Sequence, residues 1–289
     1  MSIKIKDPRL TTIVSKDAIV ETISDEFQFT EGPIWHPIEQ HLTFSDIRAS
    51  RLYRWRPGEN AAVYRNESQM ANGNTMDRQG RILTCEHASS RVVRECDGRL
   101  ETLASHYDGR QLNSPNDIVV ARDGTIWFTD PIYGRTALDG VERAPELDFR
   151  GVYRIETNGE LTLLARDFEQ PNGLCFDREQ RALYVADSER RHIRKFSISG
   201  DGRLAGGEVF AESPAPDGLK IDSIGNVYAG GPRGVYVYDG RDGTYLGVIG
   251  TSKFCANFTW GDADLRTLYL TASTALMRVR VNIAGIPLF

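Results

Sequence analysis

The stretch Asp123-Gly-Thr-Ile-Trp-Phe-Thr-Asp130 contains the pattern from which the fold of this chain can be predicted. It opens with an Asp-Gly pair, which suits a tight turn that needs positive φ, and it continues as a short apolar strand. After a gap comes a second short strand, Gly151-Val-Tyr-Arg-Ile155. Period-two alternation recurs elsewhere, and no long stretch of the chain keeps the 3.6-residue apolar period of a helix. The two stretches are therefore interpreted as halves of one strand-based repeat.

The same repeat occurs six times along the chain. Copies spaced by roughly 40 to 55 residues and made of short strands are typical of the blades of a β-propeller. We therefore predict an all-β, six-bladed β-propeller, formed by residues 1–289 as a single domain, with its chemistry at one end of a central channel. The first halves are 36–46, 77–84, 123–130, 177–187, 222–229 and 262–271, and the second halves are 51–55, 91–95, 151–155, 192–196, 234–238 and 275–279.

The composition is that of an ordinary soluble protein and excludes several classes of function. A net charge of −5 with scattered Lys and Arg residues provides no basic surface for nucleic acid. No apolar run approaches the ~18 residues of a membrane span, and residues 1–8 lack the apolar core of a signal peptide, so we expect a cytoplasmic protein without a membrane partner. The cysteines lack the paired spacing of a zinc site, and we expect Cys85, Cys175 and Cys255 to be buried. The sequence leaves the oligomeric state open.

Two segments outside the repeats have predicted roles. Residues 18–24 have the pattern of a strand, which would complete the last blade, close the ring and remove exposed sheet edges. Residues 132–150 form the longest interruption of the repeats and contain Gly134, Gly140 and Pro145. We expect these residues to form a surface loop over one face of the propeller.

Four polar motifs stand directly before the strands of their repeats. They are Glu31-Gly-Pro, Pro115-Asn116-Asp, Pro171-Asn172-Gly and Pro216-Asp217-Gly. Because the innermost strands of a propeller line its channel, these equivalent positions should form one ring around the axis. Side-chain oxygens suit a hard divalent cation, calcium or magnesium above all, although zinc and manganese also accept oxygen ligands. Each tripeptide is also an ordinary turn when taken alone, so the residues themselves leave both interpretations open.

The four motifs resemble those of the SMP-30/gluconolactonase/LRE family, in the same order and at similar spacing. They read Glu31-Gly-Pro-Ile-Trp35, Ser114-Pro-Asn-Asp117, Gln170-Pro-Asn-Gly-Leu174 and Ala215-Pro-Asp-Gly-Leu219. The match runs from about residue 29 to residue 281, and Trp127-Phe-Thr-Asp-Pro131 and Cys85-Glu-His87 are similar to stretches of bacterial gluconolactonases. Animal members carry an Arg at the position of Ser114, so their sugar contacts are not transferred to this chain.

The resemblance implies a six-bladed propeller that holds one divalent metal ion in its channel and hydrolyses small-molecule sugar lactones or related esters. The oxygen ligands make calcium the first choice for that ion. By matched position, Glu31, Asn172 and Asp217 would be the main metal ligands. Asn116 would complete the metal shell or bind substrate, and Asp217 would also be the acid/base. The implied reaction opens a sugar lactone such as glucono-1,5-lactone to the aldonic acid.

That reaction needs two kinds of group at the site. A cation would polarise the lactone carbonyl, and a base must take a proton from the attacking water. Asp217 can be the base if one of its oxygens holds the metal, and His87 is the rival candidate. We expect substrate contacts from Asn116, Asn72, Asp130 and Tyr133, each of which has a structural role as its alternative.

Two other functions remain compatible with the sequence. A related metal-dependent esterase or phosphotriesterase would keep the propeller and the metal but act on another substrate. A non-catalytic propeller would bind a ligand or a protein on one face. Such a binding platform does not need oxygen donors at four equivalent inner positions, so a lactone hydrolase is the favoured function.

Overall fold

The computed structural model describes residues 2–288 and is an all-β, six-bladed β-propeller, as predicted. Each blade contains an antiparallel sheet whose strands follow one another in the chain, from the channel outward. Blade 1 has strands Thr30–His36, His41–Asp46, Arg51–Trp55 and Ala62–Asn66. Blade 2 has Ala71–Met76, Ile82–Glu86, Arg91–Cys96 and Arg99–Ala104, and blade 3 has Ile118–Val120, Ile126–Asp130, Gly151–Ile155 and Leu161–Ala165.

The last three blades follow the same plan. Blade 4 has strands Pro171–Phe176, Ala182–Asp187, His192–Ile198 and Leu204–Glu212. Blade 5 has Leu219–Ile221, Val227–Gly231, Gly234–Tyr238 and Tyr245–Gly250, and blade 6 has Asn257–Gly261, Thr267–Ala272 and Ala275–Arg280. A small hairpin of His106–Tyr107 and Arg110–Gln111, the helix Leu10–Ile13 and the 3-10 turn Tyr133–Arg135 lie outside the blades.

The N-terminal segment completes two blades. Strand Glu21–Ser24 pairs antiparallel with Ala275–Arg280 and gives blade 6 its fourth strand, which confirms the predicted ring closure. Strand Ile3–Ile5 adds a fifth strand to blade 5, which the sequence did not predict. Between these two strands, the short helix buries Leu10 and Ile13 in the apolar core shared by blades 5 and 6. The ends of the chain are thus tied together through two neighbouring sheets.

The acidic turns of the repeats have a direct structural cause. Asp77 and Asp222 each accept backbone N–H groups from the residues two and four positions later, at 2.9–3.0 Å. Such Asp side chains replace missing backbone partners in tight turns. The turns join the innermost strand of each blade to the next strand, and the apolar residues of those strands pack between neighbouring blades. Cys85, Cys175 and Cys255 are buried, as expected.

The far end of the channel is lined by the C-terminal halves of the innermost strands. A cavity of about 780 Å³ lies there, and Lys220 is among its lining residues. The C-terminal residues Ile286, Pro287 and Leu288 line it as well. The polar motifs lie at the other end of the same strands. Within residues 2–288, no helix has the length and apolar character needed to cross a membrane.

Candidate active site

The predicted ring exists at one end of the channel. Five polar residues occupy equivalent positions at or just before the start of the innermost strands of blades 1 to 5, and Ala256 takes the position in blade 6. Four of them are buried, and Asp217 keeps part of its surface exposed. The structure thus brings together most of the residues that the sequence predicted for the site, although their roles stay predictions. The five are Glu31, Asn72, Asn116, Asn172 and Asp217.

Hydrogen bonds between neighbouring blades hold the ring together. Gly73 N–H donates to the Asn116 carbonyl at 2.8 Å, and Thr129 Oγ1 donates to the Asn172 carbonyl at 2.7 Å. Ser45 Oγ donates to the Asn72 carbonyl at 2.6 Å. The preceding blade therefore fixes the backbone of these ring residues, and rigid β-sheets determine where their side chains lie.

Glycines allow the blades to approach one another closely at this level. A Cβ atom added to Gly73 would lie 2.4 Å from the Asn116 carbonyl oxygen, and one added to Gly173 would lie 2.3 Å from the Asp217 carbonyl oxygen. No side chain fits at such distances, so the glycine after the ring residue is a packing requirement. In blades 3 and 6 the corresponding residues are Asp117 and Asn257.

Asp117 and Asn257 bring further polar groups to the ring, and the sequence analysis assigned no role to either. Asn257 Nδ2 donates to Glu31 Oε2 at 3.0 Å. Asp117 is 3% exposed, and its Oδ2 is buried without a hydrogen-bond partner among residues 2–288. The repeat alignment could have found both, because each directly follows a ring position.

Three strand-ending aspartates hold the motif segments in place. The carboxylate of Asp130 accepts the N–H groups of Asn113 and Ser114, both at 2.8 Å, just before Asn116. Asp46 and Asp187 bind the segments before Glu31 and Asn172 in the same way, at 2.8–3.1 Å. Both oxygens of Asp130 are therefore engaged by the backbone, and the geometry favours a positioning role over the predicted substrate contact.

The charges of the ring are unbalanced. Burial, followed by the nearby charge of Asp117, raises the pKa of Glu31 to about 7. Burial and then the charges of Glu31 and Asp117 raise the pKa of Asp217 well above its ordinary value. The pKa of Asp117 is also raised by burial, which the charge of Lys220 opposes. Carboxylates that raise one another's pKa in this way form a site that an added cation would stabilise.

Asn72 and His87 connect the ring to the loop at 132–150. Asn72 Nδ2 donates to His87 Nε2 at 3.0 Å, and His87 Nδ1 is 2.8 Å from the Asp139 carbonyl oxygen, which fixes the Nδ1–H tautomer. Burial lowers the pKa of His87 to about 4. Asn72 Oδ1 is left buried without a hydrogen-bond partner among residues 2–288. This unpaired acceptor fits a contact with a cation or with a hydrogen-bond donor of a ligand.

The base of this loop is tightly packed against blade residues. A Cβ atom added to Gly134 would lie 2.6 Å from His87 Cβ and 2.7 Å from Ser114 Cβ. Ser114 Oγ accepts the Gly134 N–H at 3.0 Å and donates to the Pro131 carbonyl at 2.6 Å. Arg135 is buried and donates to three main-chain carbonyls and one side-chain amide. Most residues from Thr136 to Asp148 are exposed, as predicted for a surface loop, whereas Gly134 and Arg135 at its base are buried.

Tyr133 is brought to the ring by this loop. Its hydroxyl lies near the side chains of Asn172 and Ser188, and burial followed by the charge of Asp217 raises its pKa. Asn172 Nδ2 donates to Ser188 Oγ at 3.1 Å, and Ser188 Oγ donates to the Pro216 carbonyl at 2.6 Å. Tyr133 thus lies beside two ring residues, and its predicted contact with a substrate stays a prediction.

Comparisons with known proteins agree with the motifs. Residues 29–274 match the SMP-30/Gluconolactonase/LRE-like region. A gluconolactonase from Zymomonas mobilis is 30% identical over 96% of this chain and 85% of its own length, and a pentonolactonase from Haloferax volcanii is 28% identical over 88% and 85%. The solved structure of a gluconolactonase from Xanthomonas campestris is 33% identical in sequence and superposes with a TM-score of 0.91. The match covers 97% of this chain and 95% of that one. The chain belongs to the SMP-30/gluconolactonase/LRE-like family.

Proposed function

We propose that this protein is a metal-dependent hydrolase that opens a sugar lactone, such as glucono-1,5-lactone, to the aldonic acid. The observation that carries the proposal is the ring of carboxylate and amide side chains at one end of the channel, with more negative charge than its neighbours balance. The similarity to a gluconolactonase and a pentonolactonase supports the choice of lactones as substrates.

The donor set fits a hard divalent cation. Glu31, Asn172 and Asp217 would hold it, with Asn116 completing the set, and all four offer oxygen. A divalent cation would favour the ionised forms of the two carboxylates, whose pKa values are raised, and the unpaired Oδ1 of Asn72 offers one more oxygen nearby. Oxygen ligands favour calcium or magnesium, and manganese and zinc compete. When bound, the cation would stabilise negative charge on the lactone carbonyl oxygen.

Asp217 is the proposed base. It is the ring carboxylate with part of its surface exposed, and it lies beside Asn172 and Tyr133. A carboxylate in this position can take a proton from a water molecule that attacks the lactone carbonyl and return it to the ring oxygen as the C–O bond breaks. Both ring nitrogens of His87 are engaged, so we assign His87 to holding Asn72 in place.

Substrate contacts are proposed for polar groups of the ring and of the loop beside it. The Tyr133 hydroxyl and the side chains of Asn116 and Asn72 can bind the hydroxyl and carbonyl oxygens of a lactone or accept from its hydroxyl groups. Glu31 and Asn172 are instead proposed as ligands of the cation. A polar wall of this kind suits a sugar lactone better than an alkyl ester, because each ring hydroxyl needs a partner when it leaves water.

The test is hydrolysis of glucono-1,5-lactone, followed as proton release and corrected for the spontaneous reaction. Chelated protein would be assayed alone and after separate addition of calcium, magnesium, manganese or zinc. We expect activity only with a restored cation, together with calorimetric binding of that cation that Glu31→Gln weakens and the surface variant Asp17→Asn does not. Cation binding without lactone hydrolysis would redirect the search to other esters and phosphotriesters, and absence of cation binding would refute the proposal.

A further inference from the structure

Arg48 is a partly exposed cation that the proposed reaction does not use. It follows the second strand of blade 1, and its Nε donates to Asp139 Oδ1 at 2.7 Å. The Cζ atom of its guanidinium lies over the ring of Phe29, 4.7 Å from the centroid. The ion pair therefore joins blade 1 to the loop that closes over blades 2 and 3.

The position of Asp139 is fixed from the ring side. Its carbonyl accepts from His87, whose other ring nitrogen binds Asn72 of the ring. Its charge also lies close enough to Asp217 to contribute to the raised pKa of that group. Arg48 is thus connected to Asn72 of the ring through Asp139 and His87.

The Arg48 side chain has unused hydrogen-bonding capacity. Only Nε makes a hydrogen bond within residues 2–288, which leaves the N–H donors of both Nη groups available. The side chain is 31% exposed, so a ligand can reach it. A guanidinium that packs over an aromatic ring and is hydrogen-bonded at Nε has fewer conformations than a free side chain, so less conformational entropy is lost when its remaining donors bind a ligand.

We propose that Arg48, positioned by Asp139 and Phe29, binds the hydroxyl oxygens of the substrate and makes the enzyme selective for polyhydroxylated lactones. This inference rests on the proposed lactone hydrolysis and names a specificity-determining residue for it. A lactone ring without hydroxyl groups offers the guanidinium no hydroxyl oxygen to bind, so its N–H donors keep their hydrogen bonds to water and add no affinity. The preference for a hydroxylated over an unsubstituted lactone is therefore the quantity that Arg48 controls.

The experiment compares glucono-1,5-lactone with δ-valerolactone, which has the same six-membered ring without hydroxyl groups. Enzyme, Arg48→Gln and Arg48→Lys are assayed at saturating cation, with Arg94→Gln as the control because Arg94 also pairs with a carboxylate, Glu101, on the outer strands of blade 2. We expect Arg48→Gln to lose about 10-fold in kcat/KM on the sugar lactone, mainly through KM, and less than about 2-fold on δ-valerolactone.

The outcomes separate the inference from the function on which it rests. Arg48→Lys keeps the charge and the ion pair but loses the planar fork, so we expect it to lose selectivity too. An equal loss on both lactones, or unchanged selectivity in both Arg48 variants, would overturn the inference and leave the lactonase proposal intact. If the protein without any mutation hydrolysed neither lactone with any cation, both the inference about Arg48 and the lactonase proposal would be refuted. Melting temperatures detect the purely structural effect of breaking the ion pair.

Discussion

Asp217 and His87 differ in whether their side chains can still accept a proton from water. His87 is buried and uses both ring nitrogens, whereas Asp217 keeps part of its surface exposed beside Asn172. We therefore predict that Asp217→Asn lowers kcat on glucono-1,5-lactone by roughly 10²-fold or more, the usual contribution of a general base. His87→Gln should cost about 10-fold or less, because it disturbs only the position of Asn72.

Proton-release kinetics at saturating cation measure both effects. Cation occupancy must be determined for each variant by calorimetry, since Asp217 is also a proposed ligand. If His87→Gln lost as much kcat as Asp217→Asn at equal occupancy, the base would be His87 and the assignment made here would be wrong.

Glu31 should make the stability of the cation-free protein depend on pH. Its pKa is raised from 4.5 to about 7, so between these values the folded protein retains a proton that the unfolded chain has lost. The stabilising contribution is therefore complete below about pH 4.5 and is lost as the pH rises through 7. We predict that the free energy of unfolding of the chelated protein, relative to Glu31→Gln, falls by on the order of 1 kcal/mol or more between pH 5 and 7.5.

Chemical denaturation at several pH values checks this prediction. The comparison with Glu31→Gln is needed because buried His41 and His87, whose pKa values are lowered to about 4, titrate in the opposite sense and are present in both proteins. A saturating divalent cation should reduce the decline, since it favours the ionised carboxyl. A difference between the two chelated proteins that does not change with pH would contradict the raised pKa.

At the scale of the strand, the glycines beside the ring set how closely two blades can meet. We predict that Gly173→Ala destabilises the protein by roughly 1–3 kcal/mol, because its Cβ would lie 2.3 Å from the Asp217 carbonyl oxygen and 2.4 Å from the Leu219 backbone nitrogen. The backbone shift should also weaken cation binding, since it moves Asp217. Gly200→Ala is the matched control, because its Cβ would have no neighbour within 4 Å. Equal melting temperatures for the two variants would contradict the packing argument.

The elements show what a sequence can and cannot predict here. The strands and their acidic turns follow from local chemistry, since residues such as Asp77 and Asp222 bind their own turns. The ring could be predicted because repetition makes distant residues equivalent. The repeat gives the position of Asn257 after a ring position but not its hydrogen bond to Glu31, because the other blades have no equivalent of that bond in the described residues. The ion pair of Arg48 with Asp139 follows no repeat, because it depends on the path of one long loop.

At the scale of the whole molecule, the closure of the ring of blades is the feature that local sequence patterns predict least well. The six blades are visible as repeats, whereas strand Ile3–Ile5 pairs with blade 5 through a contact between residues more than 240 positions apart. Its short length and its position before the first repeat give no pattern from which the pairing could be read. Strand Glu21–Ser24 was predictable only because an open propeller would expose a sheet edge of blade 6.

The two N-terminal strands should therefore contribute unequally to the stability of the propeller. Removal of residues 2–6 takes away only the outer strand of blade 5, and we predict a folded, active protein whose melting temperature is lower by several degrees. Removal of residues 2–24 also deletes buried Leu10, Ile13 and Val14 and opens blade 6, so cooperative unfolding and lactonase activity should be lost. Thermal unfolding, size-exclusion chromatography and the lactone assay distinguish the two variants. A compact, active protein without residues 2–24 would show that the other blades hold the channel in shape without closure of the ring.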